Sequence, residues 1–160
     1  MTISRDVVAA MDELGFGLSP KPTYVIPEIP RDITELDDDG LMDLFVQFTQ
    51  WNDHLAGAMA IAIVNETEAK SALAHAEAKA MLNAWTGAKG ETATKAKAVV
   101  AASDEIHELT KDYDYKYAFR KLLETKTGNV ERNAQLVSRE LTRRTSGGSG
   151  LQARSRRFTT

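Results

Sequence analysis

The sequence predicts an all-α protein: a long antiparallel helical hairpin, coiled-coil-like, with an extended proline-rich N-terminal arm and a flexible basic C-terminal tail. Three observations carry this. From Leu41 to Trp85 there is no proline and a single glycine, Gly57. Apolar residues recur through that run at spacings of three and four, which places them on one helical face. All four prolines, Pro20, Pro22, Pro27 and Pro30, fall in one short stretch before it. The expected organisation is a short helix and arm over 1–33, the hairpin over 34–145 and the tail over 146–160.

In chain order, Arg5 to Leu14 reads as a short amphipathic helix with Val7, Val8, Met11 and Leu14 on one face. Gly15 and Gly17 stop it. The prolines that follow fix φ and push their preceding residues to extended geometry, so this arm is not helical. Tyr24, Val25, Ile26 and Ile29 make it sticky. Tyr24, Ile26 and Ile29 are therefore expected in a groove of their own subunit or of a neighbour.

Thr34 or Asp37 caps the main helix, and Asp37, Asp38 and Asp39 suit its positive end. The acidic cluster lacks the alternating ligands and closing Glu of a calcium loop. Leu41, Leu44, Phe45, Phe48, Trp51, Leu55 and Met59 form a bulky stripe. Leu44, Phe48, Trp51 and Leu55 are its candidates for anchoring a core or an oligomer. Beyond Met59 the stripe thins to Ala62, Ala69, Leu73, Ala76 and Ala80, which lets a second helix approach closely. The run from Leu41 to Trp85 would make roughly 65–70 Å of helix.

Gly87 and Gly90 mark the turn; they lack the spacing and the preceding strand of a phosphate-binding loop. The return helix has a weak start in ETATKAKAVVAA and a stronger one at Ser103, where Ser-Asp-Glu-Ile supplies a cap and first-turn acids. Ile106, Leu109, Tyr113, Tyr117, Leu122, Val130, Ala134, Val137 and Leu141 then keep helical spacing. Gly128 costs about 1 kcal/mol in mid-helix and suggests a kink or fraying point. The Gly/Ser-rich tail has linker composition.

Charge is divided. Residues 1–80 hold 5 Lys/Arg against 14 Asp/Glu, and residues 81–160 hold 15 against 9. The halves can pair head to tail between copies, or the basic half can meet a polyanion. Aromatic residues make up only 7 % of the chain, so part of the stability is expected from self-association. The absence of cysteine excludes disulfides, thiolate metal sites and a Cys nucleophile. His54 and His75 lie about 30 Å apart on one helix and cannot share a metal; all three histidines, with His107, read as solvated. No nucleophile motif or paired-carboxylate setting is present. The sequence therefore predicts no enzyme, no metal and no cofactor. It has neither a signal-peptide core nor an apolar run of the ~20 residues that span a bilayer, so a soluble cytoplasmic-type protein is expected.

The segment Lys111 to Lys121 interleaves tyrosines with cations. Such a stretch stacks bases and neutralises phosphates in single-strand binders. The alternative is that Tyr113, Tyr117 and Phe119 pack on the long helix while the cations solvate the other face. Arg132, Arg139, Arg143 and Arg144 suit the negative helix end. With Arg154, Arg156 and Arg157 they also make a basic end of the kind that meets nucleic acid or an acidic protein surface.

The order of features is FTQWNDHLAGAMA, then EAKSALAHAEAKA, a glycine turn, an aromatic basic return helix and NVERNAQLVSRELTRR. From Thr34 to Arg144 this layout resembles helical-hairpin proteins of bacteriophages, and most of all the UvsY-type recombination mediators. The first helix lacks the dense Lys/Arg cluster of that pattern. The resemblance implies a ring-forming helical protein that binds single-stranded DNA and helps load a recombinase. Its implied DNA contacts are Lys111, Lys116, Arg120 and Lys121. The expected setting is the cytoplasm of an infected bacterium. The rival expectation is a virion structural or assembly protein (capsid-lining, cement or connector component) whose extended termini lace subunits together. A small regulator that binds one protein partner is a third.

Overall fold

The computed structural model describes residues 2–85 and 92–155, with side chains described through residue 146. The described residues form four α-helices and no strand: α1 (Ile3–Glu13), α2 (Asp38–Ala84), α3 (Ala93–Ala101) and α4 (Asp104–Ser155). A short 3-10 turn covers Ile33–Glu35. The long helices α2 and α4 pack together as a helical hairpin. Contacts divide the chain into two compact units, Met1–Leu18 with Ala58–Glu124, and Ser19–Gly57 with Thr125–Thr160.

Helix ends follow local chemistry. Helix α1 closes with two bonds, Phe16 N–H to Met11 O at 2.9 Å and Gly15 N–H to Asp12 O at 3.0 Å. Gly15 takes a φ of +79°, which a side chain resists. At the start of α2, Asp37 Oδ1 accepts from Gly40 N–H at 2.8 Å. Thr34 instead belongs to the 3-10 turn, where Asp32 receives its N–H. Thr92 Oγ1 caps α3 by accepting from Lys95 N–H. Helix α4 opens directly after Ser103, whose carbonyl accepts from His107 N–H at 3.0 Å.

In the first unit, α1 docks on α2 through polar contacts. Ser4 Oγ donates to Asn65 Oδ1 at 2.7 Å, and Ile3 N–H donates to Glu68 Oε1 at 2.7 Å. Ala62 and Ala69 of α2, Ala96 and Val100 of α3, and Ile106 of α4 are its buried apolar residues. This core is built of small side chains, so backbones come close but each contact buries little area. Glu66 pairs with Arg120, and Glu77 shares a cleft with His107 and Thr110, so the helices run antiparallel here.

In the second unit, Leu41, Phe48, Trp51 and Leu55 are buried, with Val130 and Val137 of α4. Leu41, Phe48 and Leu55 repeat every seven residues, as do Val130 and Val137, which is the seam pattern of a coiled coil. The bulky stripe therefore forms a core within one chain, with Leu44 half-buried at its edge. Asp38 meets Arg144, giving an antiparallel pair in this unit as well. Residues 16–32 form no helix. Tyr24, Ile26 and Ile29 are half-buried in the same unit, and the Tyr24 hydroxyl donates to Gln50 Oε1.

The return is broken in two, in keeping with its two start signals: α3 ends at Ala101 and Ser103 starts α4 afresh. Other sequence-based expectations need correction. Gly128 does not end α4 and faces open space. Helix α4 also extends over residues 146–155 of the expected tail. Finally, His54 is not simply solvated: its Nδ1 lies 3.1 Å from Ser19 O and its ring meets Trp51 edge-on at 5.9 Å. The glycine turn at Gly87 and Gly90 lies outside the described residues. No helix among the described residues is long and apolar enough to cross a membrane.

Candidate nucleic-acid interface

Helix α4 carries the basic residues, and its 3.6-residue period decides their neighbours. Residues three or four apart on a helix touch, so an acid at that spacing captures a cation. Lys111 Nζ lies 2.7 Å from Glu108, Lys116 Nζ 2.8 Å from Asp112, and Lys121 Nζ 3.1 Å from Glu124. The Lys111 and Lys121 hydrogen bonds hold the Glu108 and Glu124 carboxyls below the ordinary range.

Arg120 is more deeply engaged. Its guanidinium pairs with Glu66 of α2 and with Glu124 at 3.1 Å, and it lies 5.5 Å from the Tyr117 ring centroid. The bond to Glu66 raises its already high pKa. Arg120 thus acts across the helix pair. A phosphate contact there would have to displace a partly enclosed carboxylate.

In the second unit, Glu140 gathers Arg143 and Arg144. Arg143 donates to both carboxylate oxygens at 2.7 and 2.6 Å, and Arg144 Nε donates at 2.9 Å. These bonds, Arg143 first, bring the Glu140 carboxyl down to about 2. Arg144 also donates to Asp38 Oδ1 at 2.9 Å and to Thr34 O at 3.0 Å. Of the expected DNA contacts, Arg144 is therefore the latch that fastens α4 to the start of α2, and Arg143 is held on α4 by Glu140.

Arg139 has no carboxylate within 4.0 Å among the described residues and lies along a shallow cleft with Phe45 and Thr49. The Arg154 side chain, and Arg156 and Arg157 altogether, lie outside the described residues.

The aromatic residues divide differently from the packing expectation. Tyr113 is half-buried, but Tyr117 and Phe119 are exposed. Tyr115, 69 % exposed, and Phe119, 51 % exposed, stack with centroids 6.5 Å apart at 19°. Leu122 extends this stripe one turn further, and Lys111 precedes it by one turn.

Neither Lys126 nor Arg132 has a carboxylate within 4.0 Å among the described residues. The signal that finds them is in the sequence: Lys126, Arg132 and Arg139 have no acid three or four residues away, whereas the paired cations of α4 do.

No protein-family model, curated protein or solved structure matches this chain. The site's chemistry therefore rests on its own residues. Among the described residues, no three His, Cys, Asp or Glu side chains are placed to hold a metal ion.

Proposed function

We propose that the chain is a non-enzymatic, phage-type binding protein that engages single-stranded DNA and acts as a recombination mediator, self-associating and meeting a recombinase. The observation that supports this best is the exposed, stacked Tyr115–Phe119 pair, with Lys111 one turn before it. Exposed aromatic faces cost solvation unless covered, and a nucleobase covers them without sequence preference. Each stacked base contributes about 1–3 kcal/mol. Nearby lysines are held by single exposed acids, pairs weak enough in water for a phosphate to compete.

The test is fluorescence anisotropy of a labelled oligothymidylate over a salt series. Binding that weakens steeply with salt is expected, and Tyr115→Ala with Phe119→Ala should lower affinity by tenfold or more while helicity is kept. An absence of binding at low salt would overturn the reading.

A second reading, a virion structural or assembly protein, draws on a different observation. Most of the described cations of α4 are consumed by internal pairs, and α1 leaves Ile3, Val7, Met11 and Leu14 exposed. That is the surface of a chain that meets protein. Recovery in purified particles at fixed copy number would establish it.

A further inference from the structure

Building on the single-stranded DNA reading, we propose that a cleft between the proline-rich segment and α4 in the second unit receives a phosphodiester of the DNA backbone. The cleft, of about 490 Å³, runs between Ile26–Ile29 and the α4 turns carrying Lys126, Asn129, Arg132 and Asn133. Its volume falls within the roughly 300–1,000 Å³ of small-ligand sites. Val130, fully buried, forms part of its lining, and Pro27 adds a rigid apolar wall.

Its donors are what set it apart. Six basic residues of α4 hold a carboxylate, but Lys126 and Arg132 do not, among the described residues. The Arg132 guanidinium makes a long contact, 3.5 Å from Nη1 to Asn129 Oδ1, a neutral acceptor. Glu131, the nearest acid in sequence, accepts from Gln135 at 3.2 Å instead. Two cations free of acids and two amide side chains therefore line one cleft. A phosphodiester oxygen accepts from Lys126 and Arg132, the amides of Asn129 and Asn133 add neutral donors, and the sugar or base lies on Pro27. An acidic peptide would satisfy the cations but would make no use of this apolar wall. Glu28 is the one acid lining the cleft, and it opposes an anion.

The experiment uses the full chain and a labelled oligothymidylate across a salt series. Lys126→Ala with Arg132→Ala should weaken binding on the order of tenfold. It should also reduce the slope of log affinity against log salt by about 0.7, for the one phosphate left without its cations. Glu28→Gln should tighten binding. Lys70→Ala with Lys79→Ala, which removes the same charge from α2, should leave the slope nearly unchanged. If the parent chain binds and the cleft variant binds with unaltered affinity and slope, the cleft is not the site, although the DNA reading stands. If polyglutamate displaces the DNA as well as unlabelled oligothymidylate does, the surface selects charge alone and the proposal fails. If the parent chain does not bind at all, the DNA reading falls and takes the cleft with it.

Discussion

Glu140 shows how one side chain can tie a surface cation pair to stability. Its side chain is 8 % exposed, with Arg143 and Arg144 against it. Its pKa is lowered from an ordinary 4.5 to about 2. The native state thus favours the charged form, and its contribution is fully present above about pH 4.5. It is lost as pH falls from there through 2. Glu140→Gln should lower the melting temperature at pH 7 and flatten its decline between pH 4.5 and 2, as followed by circular dichroism. An unchanged acid limb would mean that other carboxylates govern acid unfolding. Trp51 carries the opposite signature. Its Nε1 is buried without a hydrogen-bond partner among the described residues, a cost of about 1–3 kcal/mol that its ring packing must exceed. Trp51→Phe removes that unpaired donor, so its melting temperature should fall much less than that of Trp51→Ala.

At the scale of elements, α4 tolerates a glycine that helix propensity disfavours. A Cβ at Gly128 would meet nothing within 4 Å. Gly128→Ala should therefore stabilise the protein by roughly 1 kcal/mol, measurable as a raised denaturation midpoint in urea. The Glu66·Arg120 pair gives a contrasting expectation. Removing either partner leaves a partly enclosed charge alone, so Glu66→Leu and Arg120→Met should each lower the melting temperature, and the double variant should recover most of the loss. Equal losses that simply add would show the two residues to be uncoupled. Much of this scale was legible beforehand. The stop at Gly15, the cap at Asp37 and the second start at Ser103 are local signals, complete within a few residues. Arg120's partner was not legible, because Glu66 is 54 residues away and only packing brings them together. Arg144 reads as a helix-end cation until Asp38, on another helix, claims it. That Lys126 and Arg132 hold no carboxylate among the described residues was legible in principle, through the acid missing three and four residues away.

Across the whole molecule, the two units are stabilised unequally. The second has Leu41, Phe48, Trp51 and Leu55, whereas α2 contributes Ala62 and Ala69 as its buried residues to the first. Phe48→Ala should cost about 3–5 kcal/mol, since a buried ring leaves a cavity that helices cannot collapse around. Amide exchange should accordingly be slower over Leu41–Leu55 than over the alanine-rich turns beyond Ala62. The exposed apolar face of α1 and the stripe at Tyr115, Phe119 and Leu122 add a second expectation. Melting temperature should rise with protein concentration, as mass action requires of a chain stabilised by its own copies. A melt independent of concentration would leave those faces to another partner.

The Arg144–Asp38 contact joins residues 106 positions apart. At a synthesis rate of about 5–20 residues per second, the start of α2 is therefore made roughly 5–20 s before the end of α4 that fastens it. During that interval Leu41, Phe48 and Trp51 have no Val130 or Val137 to cover them. The unit with the strongest core is thus the one whose apolar stripe waits longest in the nascent chain.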